Sequence, residues 1–181
     1  MFMTFFGLRW TVRRTGDLWQ ADVTTGIYLP DPKIPGSFWP GKMAVIMDVY
    51  SRFCVAACFY EKQYEFPLDD CFLCAVARYG VPLNIHVDYA NVFVSEHFRQ
   101  VCARLGVHLL EPPVSHPKEK GKTETFIRRC KDAFYPEVQS LACSGKLKTL
   151  TELNEYLGAW VEQRYNQSLH KDENPANTCR R

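Results

Sequence analysis

Two apolar runs, M-A-V-I-M-D-V-Y (43–50) and F-C-V-A-A-C-F-Y (53–60), have only Ser51 and Arg52 between them. A two-residue link folds the chain straight back on itself, so the stretch reads as a β-hairpin. Upstream, Leu18 to Leu29 alternates as a strand does: Trp19, Ala21 and Val23 face one way, Gln20, Asp22 and Thr24 the other. Residues 30 to 42 hold Pro30, Pro32, Pro35, Gly36, Pro40 and Gly41 and read as a long irregular loop.

Pattern then changes from period 2 to period 3.6. Pro67 suits the first turn of a helix that ends at Gly80, with Leu68, Cys71, Phe72, Ala75 and Val76 on its apolar side. Leu83 to Val87 is the next strand. Ser95 is an N-cap for a helix with Phe98, Val101, Cys102 and Leu105 on one face and Gly106 as its stop. Val107 to Leu110 is a short buried strand. The helix beginning near Lys122 places Phe126, Ile127, Cys130 and Phe134 together, and the last helix opens on a capping box, Thr149 to Glu152, and buries Leu150, Leu153, Leu157, Trp160 and Val161. Three strands, a helix, a strand, a helix, a strand and two helices predict an α/β domain: a mixed sheet flanked by helices.

A chain of 181 residues that is 46% hydrophobic and 14% aromatic has globular composition and room for one substantial core. No apolar run approaches the roughly 18 residues of a membrane helix, and M-F-M-T-F-F-G-L lacks a small-residue cleavage site, so a cytoplasmic protein with no membrane partner is expected. The spacings of the eight cysteines favour buried thiols over zinc ligands: Cys71 and Cys74 fall within the helical apolar pattern without a second matching pair, and Cys54 and Cys58 share a strand face by parity.

Three carboxylates carry the chemistry: Asp22 on the first strand, Asp88 at the end of L-N-I-H-V-D, and Glu124 at a helix start, with thirty-five residues between the second and third. Hard oxygen ligands on separate elements are what Mg²⁺ or Mn²⁺ requires if the fold brings them together. Net charge is only +2, but Lys118, Lys120, Lys122, Arg128, Arg129 and Lys131 crowd around Glu124, where a phosphate backbone would pass. Glu124, Arg128 and Lys131 recur at i, i+4 and i+7 along one helix border. His86 and His116 are possible supporting residues, and Asp48 is read as structural, orienting the turn through Ser51 and Arg52.

With those residues laid out, the chain resembles the catalytic core of the retroviral integrase and bacterial insertion-sequence transposase superfamily, from about Leu18 to Ala176. L-W-Q-A-D is similar to that family's opening strand, I-M-D-V-Y-S-R to its second strand and turn, and V-D-Y-A-N-V-F-V-S-E-H-F to the segment after the second aspartate. H-P-K-E-K-G-K-T-E-T-F resembles the P-x-x-x-G-K-x-E signature, and Y-N-Q-S-L-H-K-D-E-N-P a Tyr-Asn…His…Pro tail. The resemblance implies a ribonuclease H-like, five-stranded fold, with Asp22, Asp88 and Glu124 as a catalytic and metal-binding triad holding two Mg²⁺ or Mn²⁺ ions. It also implies DNA (transposon ends and target) as partner, contacted through Lys118, Lys120, Lys122, Arg128 and Lys131. The activity implied is divalent-metal-dependent DNA cleavage and strand transfer, by a nucleoid-associated protein that is a homo-oligomer when bound to DNA.

The sequence departs from the pattern at Asp88-Tyr89-Ala90, where the family commonly has Asp-Asn-Gly, at Thr125 in place of Arg, and at Asp48-Val49 in place of paired aspartates. The expected organisation is residues 1–17 as an N-terminal extension or truncated linker, 18–170 as the catalytic core and 171–181 as a C-terminal tail. Two alternatives accompany this reading: an inactive transposase remnant that only binds DNA or a transposase partner, and a ribonuclease H-like nuclease.

Overall fold

The computed structural model describes residues 12–30, 34, 37–61, 67–87, 95–110 and 121–168. Strands β1 (Trp19–Pro30), β2 (Phe38–Asp48) and β3 (Cys54–Tyr60) precede helix α1 (Pro67–Tyr79), strand β4 (Asn84–Val87), helix α2 (Glu96–Leu105) and strand β5 (His108–Leu110). Helices α3 (Gly121–Arg129), α4 (Tyr135–Cys143) and α5 (Leu150–Trp160) follow. The sheet order is β3-β2-β1-β4-β5. The β1–β2 and β2–β3 pairs are antiparallel, while β1–β4 and β4–β5 are parallel. This is the expected mixed five-stranded sheet flanked by helices.

Alternation along the strands divides the core in two. Trp19, Ala21, Val23, Ala44, Ile46, Ile85 and Val87 pack with Phe72 and Phe98 under α1 and α2. Met43, Val45 and Met47 pack on the opposite face with Phe126, Phe134, Leu157 and Trp160 of the C-terminal helices. The start and stop signals act as the sequence implies. Ser95 Oγ accepts the Phe98 N–H at 3.0 Å, and Gly106 closes α2 with φ 71°, a conformation that glycine adopts without Cβ strain. At α5 the capping box is reciprocal: the Glu152 N–H donates to Thr149 Oγ1 at 3.2 Å and the Thr149 N–H to Glu152 Oε2 at 3.0 Å.

Asp48 fixes the hairpin turn as expected. Its carboxylate, only 1% exposed, accepts Ser51 N–H (2.7 Å), Ser51 O–H (2.8 Å) and Gly16 N–H (2.8 Å), and Arg52 takes φ 59° in the turn. Three donors offset the cost of burying that charge.

Three expectations need correction. The stretch 30–42 is not one long loop, because β1 runs to Pro30 and β2 starts at Phe38, with Pro40 opposite Tyr28. The β2–β3 ladder begins only at Lys42↔Tyr60, so Pro40 lies where β2 is an edge and a missing N–H is tolerated. Cys54 and Cys58 do not share a face: a bulge between the Ile46↔Ala56 and Met47↔Cys54 pairs flips Cys54 toward the C-terminal helices and leaves Cys58, opposite Ala44, toward α1. Finally, the helical stretch that begins near Lys122 runs on past Phe134, as α3 and then α4. A wide turn at Cys130–Phe134, closed by the Tyr135 N–H on the Cys130 carbonyl, carries α3 into α4 just before Pro136. A regular turn would set the Pro136 ring against the carbonyl four residues back, and the wider turn relieves that clash.

The outer edge of β3 is closed by two asparagines. Asn154 of α5 donates to the Phe59 carbonyl (3.1 Å) and accepts the Phe59 N–H (2.7 Å), and Asn166 does the same for Cys54 at 3.2 and 2.9 Å. Each amide stands in for one residue of a missing strand. Asn166 belongs to the Y-N-Q-S-L-H tail, and its role is therefore to dock the C-terminal segment on the sheet. Asn166→Ala and Asn154→Ala should each cost about 1–3 kcal/mol in urea unfolding, because two backbone groups of β3 lose their partners. A change under about 0.5 kcal/mol would show that water replaces the amides without penalty.

Candidate active site

Asp22 is the fourth residue of β1, the strand at the centre of the sheet. It pairs with Val45, so it shares the sheet face that α3 covers, whereas its neighbours Ala21 and Val23 point into the other core. The side chain is buried, and Oδ1 accepts the Val23 N–H at 2.8 Å. Gln20 lies two residues earlier on the same face and pairs with His86 of β4. Both are buried. A stripe of buried polar groups, Gln20, Asp22 and His86, thus crosses the two central strands on a face otherwise lined by methionine, valine and phenylalanine. Burying polar groups is costly unless they are satisfied, and such stripes concentrate at functional sites.

The parallel ladder between β1 and β4 is described as far as Ala21↔Val87. Asp22 follows directly on β1, and Asp88 is next after Val87 in sequence. Asp88 itself lies outside the described residues, as do His116, Lys118 and Lys120.

Glu124 occupies the first turn of α3, where a carboxylate is favoured by the helix dipole. Helix α3 lies on β1 and β2. Thr123, Phe126 and Ile127 form its buried face, while Glu124, Arg128 and Lys131 are exposed. Asp22 and Glu124 therefore stand on adjoining elements. Among the described residues, no three His, Cys, Asp or Glu side chains form a group that could hold a metal. Carboxylates alone are the right donor chemistry for Mg²⁺ or Mn²⁺, so the two described acids fit the ion as far as the donor set goes.

The basic strip divides into two kinds of residue. The Lys122 ammonium donates to the Val49 carbonyl, which pins the start of α3 to the end of β2. Arg129 donates to Ser168 Oγ at 3.0 Å and lies 5.5 Å from the Tyr165 ring centroid. These two cations hold the fold together, and Arg128 and Lys131 face outward. The sequence gives no local signal for this division, which follows from where the end of β2 and the C-terminal segment come to rest.

Comparison with known proteins agrees with this architecture. The model of the integrase core domain family matches residues 12–110, more than half of the chain. The chain belongs to the integrase core domain family. It is 26% identical over 172 residues to the transposase for transposon Tn552 of Staphylococcus aureus, an alignment covering 87% of this chain and 35% of that protein. The chain thus spans about a third of the length of that relative. Among solved structures, it superposes on a chain of the simian T-cell lymphotropic virus intasome in complex with PP2A regulatory subunit B56 gamma with a TM-score of 0.65 at 20% identity. That match covers 90% of this chain and 55% of the other. The HTLV-2 integrase catalytic core domain in complex with magnesium, in its trimeric form, gives a TM-score of 0.59 at 21% identity and covers 90% and 91% of the two chains. These likenesses show the ribonuclease H-like integrase fold. Among the described residues no helix is long and apolar enough to cross a membrane.

The two kinds of basic residue separate in experiment. Lys122→Met should lower stability by about 1–3 kcal/mol, as expected for a lost charged hydrogen bond, while Arg128→Ala and Lys131→Ala should stay within about 0.5 kcal/mol of wild type. Equal effects of all three in chemical denaturation would contradict the division.

Proposed function

We propose that this integrase core is a divalent-metal-dependent DNA strand-cleaving and strand-transferring domain, with Asp22, Asp88 and Glu124 as its acidic triad. The observation that carries the reading is the placement of Asp22: a buried carboxylate on the central strand, beneath the helix that bears Glu124, one residue beyond the Ala21↔Val87 pair. In sequence Asp22 follows Ala21 and Asp88 follows Val87, the last described pair of that ladder. The magnesium-bound HTLV-2 core of the same fold supports the choice of ion.

Asp22, Asp88 and Glu124 would hold two Mg²⁺ or Mn²⁺ ions, which would supply nucleophile activation and leaving-oxygen stabilisation for a displacement at phosphorus. The chain's own residues do the rest. Asp22 pairs with Val45 of β2 and directly follows Ala21, which pairs with Val87 of β4, and Glu124 projects from a helix turn that Lys122 anchors. Arg128 and Lys131 lie on the same exposed border as Glu124, so a phosphate backbone near that carboxylate meets cations. Lys118 and Lys120 precede them in sequence and extend the positive strip. His86, buried beside Gln20, shapes the floor of the site. The likeness to an intasome chain supports transposon ends and target DNA as partners and a homo-oligomer on DNA.

Asp22→Asn, Asp88→Asn and Glu124→Gln should each reduce Mg²⁺-dependent cleavage and strand transfer on DNA by at least about 10³-fold while circular dichroism and melting remain near wild type. Full activity in any one variant removes that residue from the triad. Salt-sensitive DNA binding without cleavage in the wild type would instead mark an inactive remnant. Lys120→Ala and Arg128→Ala should weaken DNA binding at every sequence and reduce the slope of log K against log salt by about one each. An unchanged slope contradicts their assignment.

A further inference from the structure

The two edges of the sheet are finished differently. On β3 the amides of Asn154 and Asn166 occupy outward backbone groups, whereas β5, the opposite edge, borders a groove of about 500 Å³. One wall is α2, through Arg99, Cys102 and Ala103, which recur at i, i+3 and i+4 and so share a helix face. The other wall is Val107, His108 and Leu109. Cys102 and Val107 are buried, Leu109 is half-buried, and Arg99, Ala103 and His108 are exposed. The Val107 N–H donates to the Cys102 carbonyl at 2.9 Å, which brings the end of α2 against the start of β5.

Hydrogen bonding shows which way the β5 backbone faces. The His108 N–H donates to the Leu83 carbonyl at 3.0 Å, so the backbone groups of His108 point toward β4. Those of successive strand residues point to opposite edges, and the N–H and C=O of Leu109 therefore point away from the sheet. Among the described residues no backbone group meets them there. An outward N–H and C=O pair is the complement of another peptide group, and a residue of an added antiparallel strand exchanges both bonds with it. A DNA backbone presents acceptors and would leave the Leu109 carbonyl without a donor. Arg99 makes the groove cationic, and among the described residues its lining contains no acid. A second copy of the chain would bring the same lining against Arg99, with no acid to meet it.

We propose that the groove between α2 and β5 receives an extended acidic peptide segment of a partner protein, which pairs antiparallel with β5 as a sixth strand. The peptide's N–H donates to the Leu109 carbonyl, and the Leu109 N–H donates to the peptide's carbonyl. Side chains of the added strand alternate, so every second one enters the groove beside Cys102 and Ala103. Those two are small, which leaves room for a β-branched apolar residue such as valine or isoleucine. An aspartate or glutamate next to it meets Arg99, one helical turn before Ala103, and selects acidic over basic segments. This docking site belongs to a sheet edge and a helix that the acidic triad does not use, so it stands independently of the DNA reading.

The test selects random heptapeptides displayed on phage against the full chain, then titrates the enriched peptides as synthetic capped molecules. Enriched sequences should carry aspartate or glutamate beside valine or isoleucine, and should shift the amide resonances of Leu109 and Ala103. Ala103→Trp, at an exposed position, should fill the groove and abolish binding while melting stays near wild type. Arg99→Glu should weaken binding about tenfold. N-methylation of the peptide amides on one edge of its strand should cost at least about tenfold, and N-methylation of the alternate set should not. Enrichment of no heptapeptide, or of basic ones, would overturn the proposal. So would binding that survives Ala103→Trp, or equal effects of the two methylation sets, which would mean that the groove takes side chains and not a strand. Concentration-dependent self-association of the wild type that Ala103→Trp removes would assign the groove to a second copy and overturn it as well.

Discussion

The register of β1 is the constraint on which the rest depends. In this strand the antiparallel half of the sheet meets the parallel half, with Asp22 paired to Val45 on one side and Ala21 to Val87 on the other. Side chains alternate strictly, so a slip of one residue would send Asp22 into the core beneath α1 and expose Ala21 and Val23 to the α3 face. Burial of Trp19, Ala21 and Val23 in one core therefore fixes the direction of the carboxylate in the other. The apolar pattern positions the carboxylate, and no separate device is needed.

The helices on the Asp22 face are fastened by polar contacts as well as by packing. Lys122 ties the first turn of α3 to the end of β2, Arg129 reaches Ser168, and Asn154 and Asn166 bind the backbone of β3. These contacts fix positions that packing alone leaves loosely specified. Glu124 and Arg128 inherit their placement from that framework. An exposed acid and an exposed base on one border can meet metal and phosphate only if the helix beneath them does not rotate, and Thr123, Phe126 and Ile127 in the core prevent that.

Much of this was legible in the sequence because it rests on local signals. The hairpin around Ser51 and Arg52, the Ser95 and Thr149 caps, the Gly106 stop, the structural role of Asp48 and the element order that dictates a mixed sheet all follow from residues close together in the chain. What could not be read arises from contacts distant in sequence or from one-residue irregularities. The β3 bulge reverses the facing of Cys54 relative to Cys58, and a parity argument has no access to it. The wide turn at Cys130–Phe134 lets the helix continue past a proline that ordinarily ends one. The β2 strand runs through Pro40 because its neighbour stops at Tyr60. Lys122 looks like the other basic residues until the end of β2 is seen beside it. Spacing and resemblance single out Asp22 and Glu124 as candidates, and the structure adds the sheet face and the adjoining helix on which they stand.

Metal binding by the chain complexed with a short DNA duplex tests the central claim most directly. Mn²⁺ titrated into that complex, followed by electron paramagnetic resonance, should be bound by the wild type and lost in Asp88→Asn at equal DNA occupancy. Retention of the same bound Mn²⁺ in the variant would place the ion elsewhere and contradict the triad.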